Sequence, residues 1–353
     1  KLVFKLASAV TLYSAVLLSL VTVGSVLTLI QRYTTFLSKI NTFERAIEQT
    51  YMSLPFVFMA VGPFLYCTEI WKRIQFINSW GTFQEQFNRV TNRRVHLGLR
   101  YRVYCLVALS LTSAVSGPIS ISSVTENFKL WQYCICALGL LLGTVMPALW
   151  YLTCHGTIRA AKDLGDEIEK GLQNNSFRQN DKLVQFKFLW LHLSKLTQNI
   201  GRSMGFTYAM FTLYCNVVMV IASYVFLVLI RNGFHKHILG QTVGILVSLA
   251  TLYAQCTNAQ SATEEVGLNF QERIQSMLQK YPPLSPTTHI EMDRFLAVIN
   301  SNPPVVSFCG FVEVNRGLIT SLMSQLLTYL IVLLQINLST HPDESDKQED
   351  TIL

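Results

Sequence analysis

Seven uncharged stretches punctuate the chain, at about 6–31, 50–68, 103–125, 130–158, 203–230, 238–263 and 317–340. Wound as helices, each is long enough to cross the roughly 30 Å hydrocarbon core of a bilayer. Pro55, Pro63, Pro118 and Pro147 fall inside the second, third and fourth, where each removes a backbone donor, so kinks are predicted there. Between the stretches the pattern turns amphipathic. Leu183, Phe186, Leu189, Trp190, Leu193, Leu196 and Ile200 recur at three- and four-residue spacing. Val266, Phe270, Ile274 and Leu278 carry a four-residue stripe past the sixth stretch, predicting that its helix continues unbroken. Met292, Phe295, Leu296 and Ile299 repeat the pattern before Pro303 and Pro304 stop it. Apolar stripes outside a bilayer need partners, so a packed helical block is expected beyond the membrane. The PPLSP segment at 282–286 reads as a rigid loop, and the acidic tail 341–353 as disordered.

Composition agrees. Half the residues are hydrophobic and 14% are charged, where a soluble domain carries about a quarter. The chain reads as an all-α membrane protein of seven transmembrane helices. Lys and Arg collect on one side. Segments 72–102, 156–202 and 262–316 hold seven, eight and four, and Lys1 and Lys5 join them. The opposite segments hold the remaining seven. The basic side should be cytoplasmic, which puts the N-terminus inside and the C-terminus outside. The net charge of +7 is therefore topological and points to no nucleic acid. Residues 1–158 then hold helices one to four with the cytoplasmic loop 72–102. Segments 159–202 and 264–316 supply the cytoplasmic block, 203–263 holds helices five and six, 317–340 is helix seven, and 341–353 is an extracellular tail. The opening residue is Lys1 rather than methionine, so residues upstream are expected.

Candidate chemistry is sparse. The eight cysteines are scattered and form no C-x-x-C pair, so they read as small core hydrophobes, with neither metal nor cofactor implied. The apolar stretches carry no His-Glu-x-x-His, no paired aspartates and no nucleophile beside a base, so no catalytic residue is assigned and an enzyme is not expected. His155 and His192 stand alone and read as structural. A secondary transporter would show a repeat and a midplane charge, and neither is present.

The last stretch is different. Steps of four and three from Gly317 reach Ser321, Ser324, Thr328, Ile331 and Gln335, so five of six positions on one face are small or polar. Leu322, Leu326, Leu330, Val332, Leu333 and Leu334 flank them. Small and polar residues glue transmembrane helices together, and the stripe fits that reading. It also fits an aqueous pathway. Gln335 is too large for a close-packing residue, and Ile331 is the lone large apolar member, where a pore would close by dewetting. One helix cannot enclose a pore, so this reading demands an oligomer about a shared axis.

TYLIVLLQI at 328–336 resembles the C-terminal signature of insect gustatory receptors: Thr-Tyr, five hydrophobic residues, then Gln-Phe. It matches at Thr328, Tyr329, 330–334 and Gln335 and departs at Ile336, where the family has Phe. Residues 310–335 and 259–271 look most like the carbon dioxide receptor branch. The resemblance implies a ligand-gated, non-selective cation channel, tetrameric with paralogous subunits, in the plasma membrane of sensory neuron dendrites. It implies a cytoplasmic anchor and a small-molecule ligand, either carbon dioxide or a sugar or bitter tastant. The family places the Gln-Phe pair at the narrow part of the pore, so Gln335 and Ile336 inherit that role, while the heptad spacing prefers Ile331 as the gate. The family's ligand pocket lies among the outer halves of the helices, which nominates Tyr51, Phe58, Trp131, Tyr133, Tyr224 and Gln241. Aromatics at that depth also form interfacial belts.

Minor candidates complete the inventory. His235, Lys236 and His237 offer a proton or bicarbonate sensor, against the plainer reading of a solvated loop. Glu69 beside Lys72 and Arg73 reads as an interfacial ion pair. Asp163, Asp166, Glu167 and Glu169 read as a solvated face, or as an attractor of cations at the pore exit. Asn174 opens a glycosylation sequon expected inside, and Asn337 opens another too close to the membrane for efficient modification.

Overall fold

A helix overlaps each of the seven apolar stretches in the computed structural model, which describes residues 9–37, 43–124, 129–174, 181–231, 238–281 and 286–340. These are α1 (Ala9–Leu37), α2 (Phe43–Thr68), α4 (Arg100–Val124), α5 (Leu130–Gln173), α6 (Asp181–Arg231), α7 (Ile238–Val266) and α10 (Arg316–Thr340). By length and composition α1, α2, α5, α6 and α10 can cross a membrane. Pro55, Pro63, Pro118 and Pro147 all lie within helices. The acidic tail, residues 282–285 and the His235–His237 cluster lie outside the described residues.

The axis of the fold is α6. At 51 residues it is about 75 Å long, more than twice the hydrocarbon thickness. It packs against α2, α5, α7 and α10 and against two further helices, α3 (Ile70–Thr91) and α9 (Pro286–Ser301). Paired contacts fix the directions. Phe43 meets Tyr224, Phe58 meets Phe211 and Tyr214, and Glu69 meets Thr207, so α2 runs antiparallel to α6. The last helix packs first on Phe211, Cys215 and Met219 and later on Tyr224, Val225 and Val228, so α10 runs parallel to α6.

One end of the bundle carries the main core. All seven members of the 183–200 stripe are buried, and Trp190 is fully enclosed. Its ring lies 6.4 Å from Phe270 and 6.1 Å from Phe295, and its indole N–H donates to the Val266 carbonyl at 3.0 Å. Each fully buried side chain of this size stabilises the block by roughly 1.5–3 kcal/mol. A packed block is what the stripes called for.

Three features depart from expectation. The loop 72–102 contains a long helix, α3 (Ile70–Thr91), whose Phe76, Phe83 and Phe87 enter the main core. The sixth apolar helix does not continue unbroken. It ends at Val266, Gly267 turns with φ −96° and ψ −97°, and α8 (Leu268–Lys280) restarts with Phe270, Ile274 and Met277 buried. Third, the chain is not wholly helical. After α9 (Pro286–Ser301), β1 (Ser307–Phe308) and β2 (Val312–Glu313) form a small antiparallel hairpin pairing Ser307 with Glu313 and Phe308 with Val312.

The acidic run is also corrected. Asp166 and Glu169 both pair with Arg273 of α8, at 2.5 and 3.2 Å, and Glu167 pairs with Arg93 and Lys170. Asp163 accepts the His96 amide at 2.7 Å. These carboxylates tie α5 to its neighbours, so the face is paired as well as solvated, with the Asp166 side chain still 53% exposed.

Candidate functional site

The outward face of α10 is small and polar along its length. Gly317, Ser321, Ser324, Thr328, Ile331 and Gln335 are all exposed in the single chain. Leu322, Met323, Leu326, Leu330, Leu333 and Leu334 pack against α6 and its neighbours instead. With 3.6 residues per turn, the centres of these two sets lie about 160° apart around the helix. The stripe is therefore turned away from every helix of its own chain. Within it, Ser321 and Thr328 bond back to the carbonyls of Gly317 and Ser324, at 3.2 and 3.0 Å, which satisfies their donors and leaves acceptor lone pairs facing outward. Ile331 is 55% exposed and sits about 40° from the stripe's centre, whereas Ile336, 39% exposed, sits about 100° away. Tyr329 is exposed on the far flank of the same surface.

The hairpin forms the joint between α9 and α10. Cys309 and Gly310 both have positive φ, 52° and 84°, and reverse the chain as Phe311 N donates to Phe308 O at 2.9 Å. A non-glycine residue in that conformation is uncommon and costs on the order of 1–2 kcal/mol. It is held because the turn docks on α6: Cys309 N donates to Gly201 O at 3.3 Å. Gly201 and Gly205 lie one turn apart on one face. A Cβ at Gly201 would stand 1.9 Å from Ser307 O, and one at Gly205 would stand 2.6 Å from Cys309 N. Glycine is required at both for backbone to meet backbone. Val306, Phe308 and Val314 anchor the hairpin in the main core. Beyond it, Asn315 Oδ1 caps α10 by accepting from Leu318 N at 3.2 Å, and Gln260 of α7 accepts from Arg316 N at 2.9 Å.

One turn further along α6 is a buried charge pair. Glu69, at the break between α2 and α3, accepts from Phe206 N at 2.9 Å, from Thr207 N at 3.1 Å and from the Thr207 hydroxyl. Arg73 stands 3.6 Å from the carboxylate, donates to Thr207 Oγ1 at 3.0 Å and lies 3.9 Å from the Tyr66 ring centre. Glu69 and Arg73 thus form the expected ion pair, and both partners are buried. Sequence reasoning passed over Gly201 and Gly205 although their G-x-x-x-G spacing was visible. No local signal revealed the Cys309 turn.

The nominated ligand residues are placed as follows. Phe58 stacks on Tyr214 at 4.6 Å, and Tyr224 meets Phe43 edge-on at 6.2 Å. Tyr51 reaches toward Gly244 of α7, where a Cβ would stand 2.7 Å from its hydroxyl. Gln241, one turn before Gly244, is buried with Oε1 lacking a partner among the described residues, as does Asn216 Oδ1 on α6. These four nominees lie where α2, α6 and α7 pack. Tyr133 is half-buried, and Trp131 at the start of α5 is exposed, a boundary position. His155 contacts Arg102 at 2.7 Å and stacks on Tyr151, and His192 meets Gln86 at 2.9 Å, so neither is isolated. Asn174 ends α5, and Asn337 is buried, which hinders modification further. All eight cysteines are free, and only Cys136, Cys154, Cys215 and Cys256 are buried.

Comparison with known proteins fits this arrangement. The family model for 7tm chemosensory receptors matches residues 1–340, so the chain belongs to that family. Its members here are receptors, not enzymes. Gustatory and odorant receptor 24 of Anopheles gambiae is 28% identical over 97% of this chain and 73% of its own length. Gustatory and odorant receptor 22 of the same organism is 27% identical over 85% of this chain, and gustatory and odorant receptor 21a of Drosophila melanogaster 25% over 84%. The chain spans only 65% and 66% of those two relatives. The fold is that of the insect olfactory receptor OR5 from Machilis hrabei, whose eugenol complex superposes with TM-score 0.64 at 14% identity over 90% of this chain and 88% of that one.

Proposed function

We propose that this chain is one subunit of a ligand-gated cation channel in a sensory-cell plasma membrane, with seven spans, the N-terminus inside and the C-terminus outside. The single observation that carries the reading is the orientation of α10. Its small and polar face points away from every described helix of its own chain. Exposed to lipid, Gln335 would cost several kcal/mol. Further copies or paralogous subunits, placed as a tetramer with α10 around a common axis, turn that face toward water and permeant cations. Ile331 closes the pathway in this arrangement, because it lies nearer the stripe's centre than Ile336.

A small ligand binds where α2, α6 and α7 meet. The Gln241 oxygen, one turn from the Tyr51–Gly244 contact and unpartnered among the described residues, awaits a donor there. The likeness of 310–335 and 259–271 to the carbon dioxide receptor branch makes carbon dioxide the ligand to try first, ahead of sugars or bitter tastants. The movement reaches α10 through the hairpin on Gly201 and Gly205. The test is to express the chain alone and with related subunits, step carbon dioxide and record current. Current in at least one combination is expected. Silence in every combination contradicts the channel, and accumulation of a labelled solute instead would establish a transporter.

A further inference from the structure

A cleft of about 420 Å³ opens beside the hairpin joint, many times the room one water needs. Lys72, Gln75 and Ser79 of α3, Asn199 and Arg202 of α6, and Cys309 of the turn line it, and no carboxylate does. Lys72 and Arg202 are exposed, and neither makes an ion pair among the described residues. Glu69, three residues before Lys72, is spent on Arg73, Thr207 and the Phe206 amide. Two cations therefore share one cleft with an amide pair and a hydroxyl, and no carboxylate among the described residues neutralises them.

The depth is informative. Lys72 follows the second apolar stretch by four residues, and Arg202 immediately precedes the fifth. Trp71, adjacent to Lys72, and Phe206, one helical turn after Arg202, are 57% and 41% exposed. Exposed aromatics next to basic residues mark headgroup level at a membrane surface. From the joint of α3, α6 and the turn, we infer that this cleft binds a phosphate-bearing anion, either a phosphorylated lipid headgroup or its soluble counterpart. Bidentate capture suits the Arg202 guanidinium, and Lys72 adds a point charge. Bound there, the anion clamps α3 and α6 against the turn that leads into α10. Placing the cleft at the inner leaflet rests on the orientation proposed above; the anion site itself does not.

The test uses the full chain purified in detergent, with its melting temperature followed against soluble probes. Dioctanoyl phosphatidylinositol 4,5-bisphosphate should raise it saturably, and dioctanoyl phosphatidylcholine should not. In K72Q/R202Q, half-saturation should move to about thirtyfold higher concentration, while Lys182→Gln, an exposed lysine at the far end of α6, should match the wild type. Both replaced side chains are exposed, so the ligand-free melting temperature should stay unchanged; R202E offers a second variant with the same expected loss of response. Inositol trisphosphate acting as strongly as the lipid supports a soluble source, and a clear advantage for the lipid supports the membrane. Equal responses of wild type and K72Q/R202Q, or an equal effect of phosphatidylcholine, overturn the inference. A chain that binds the probe yet never conducts leaves the site standing and removes only the channel.

Discussion

The amide of Cys309 donates to the carbonyl of Gly201 at 3.3 Å, so the turn before the last helix is bonded to the middle of α6. The contact exists because Gly201 has no side chain. Gly201→Ala places a methyl where Ser307 O stands, and the hairpin must lift. Overpacking of this kind costs about 1–3 kcal/mol. A lower melting temperature and a lost or altered ligand response in current recordings are expected. Gly62→Ala, where a Cβ meets nothing within 4 Å, should leave both unchanged.

Glu69→Gln removes the counter-charge from buried Arg73, whose Nε already lacks a partner among the described residues. Breaking one side of a buried pair costs about 3–5 kcal/mol. Thermal unfolding of the detergent-solubilised chain should show that loss. In the double variant Glu69→Gln/Arg73→Met much of it should return, because the stranded cation is gone. A double variant as unstable as Glu69→Gln would mean that the carboxylate acts through the two α6 amides rather than through Arg73.

Trp190→Ala should cost about 3–5 kcal/mol by emptying the centre of the main core and stranding the Val266 carbonyl. Fluorescence-detected size exclusion after heating reads the effect. Leu227, exposed on the same helix, serves as the comparison: its replacement by Ala should shift the melting point little.

How much of this was legible differs by feature. The apolar stretches located seven helices because long uncharged runs admit few other structures. The Leu183–Ile200 stripe announced its own burial, since a three-four repeat in a charged setting has no use except packing. The α3 helix was hidden by its polar content, although Phe76, Phe83 and Phe87 share one face. The hairpin was not legible. Two-residue strands carry too few positions to show alternation, and the reversed φ of Cys309 is imposed by docking on Gly201 rather than by its own preference. The acidic run of α5 misled because its partner Arg273 lies more than a hundred residues away. The stripe of α10 was read correctly as one face, but the sequence left open whether protein covers it. The packing shows that none of the described residues of its own chain does.

Gln335→Ala removes the largest polar group on the outward face of α10. Reversal potential or unit conductance should change, with ligand sensitivity and melting temperature near those of the wild type. Unaltered permeation would take Gln335 out of the pathway.

Thiol accessibility tests the pore face most directly. Ser324→Cys, Thr328→Cys and Gln335→Cys lie on the stripe, and Leu326→Cys and Leu330→Cys lie on the packed face. During ligand application, a membrane-impermeant thiol reagent should modify current at the first three and leave the last two unaffected, over the background of the native cysteines. Reaction at 326 and 330 with silence at 324, 328 and 335 would show that water wets the other side of the helix.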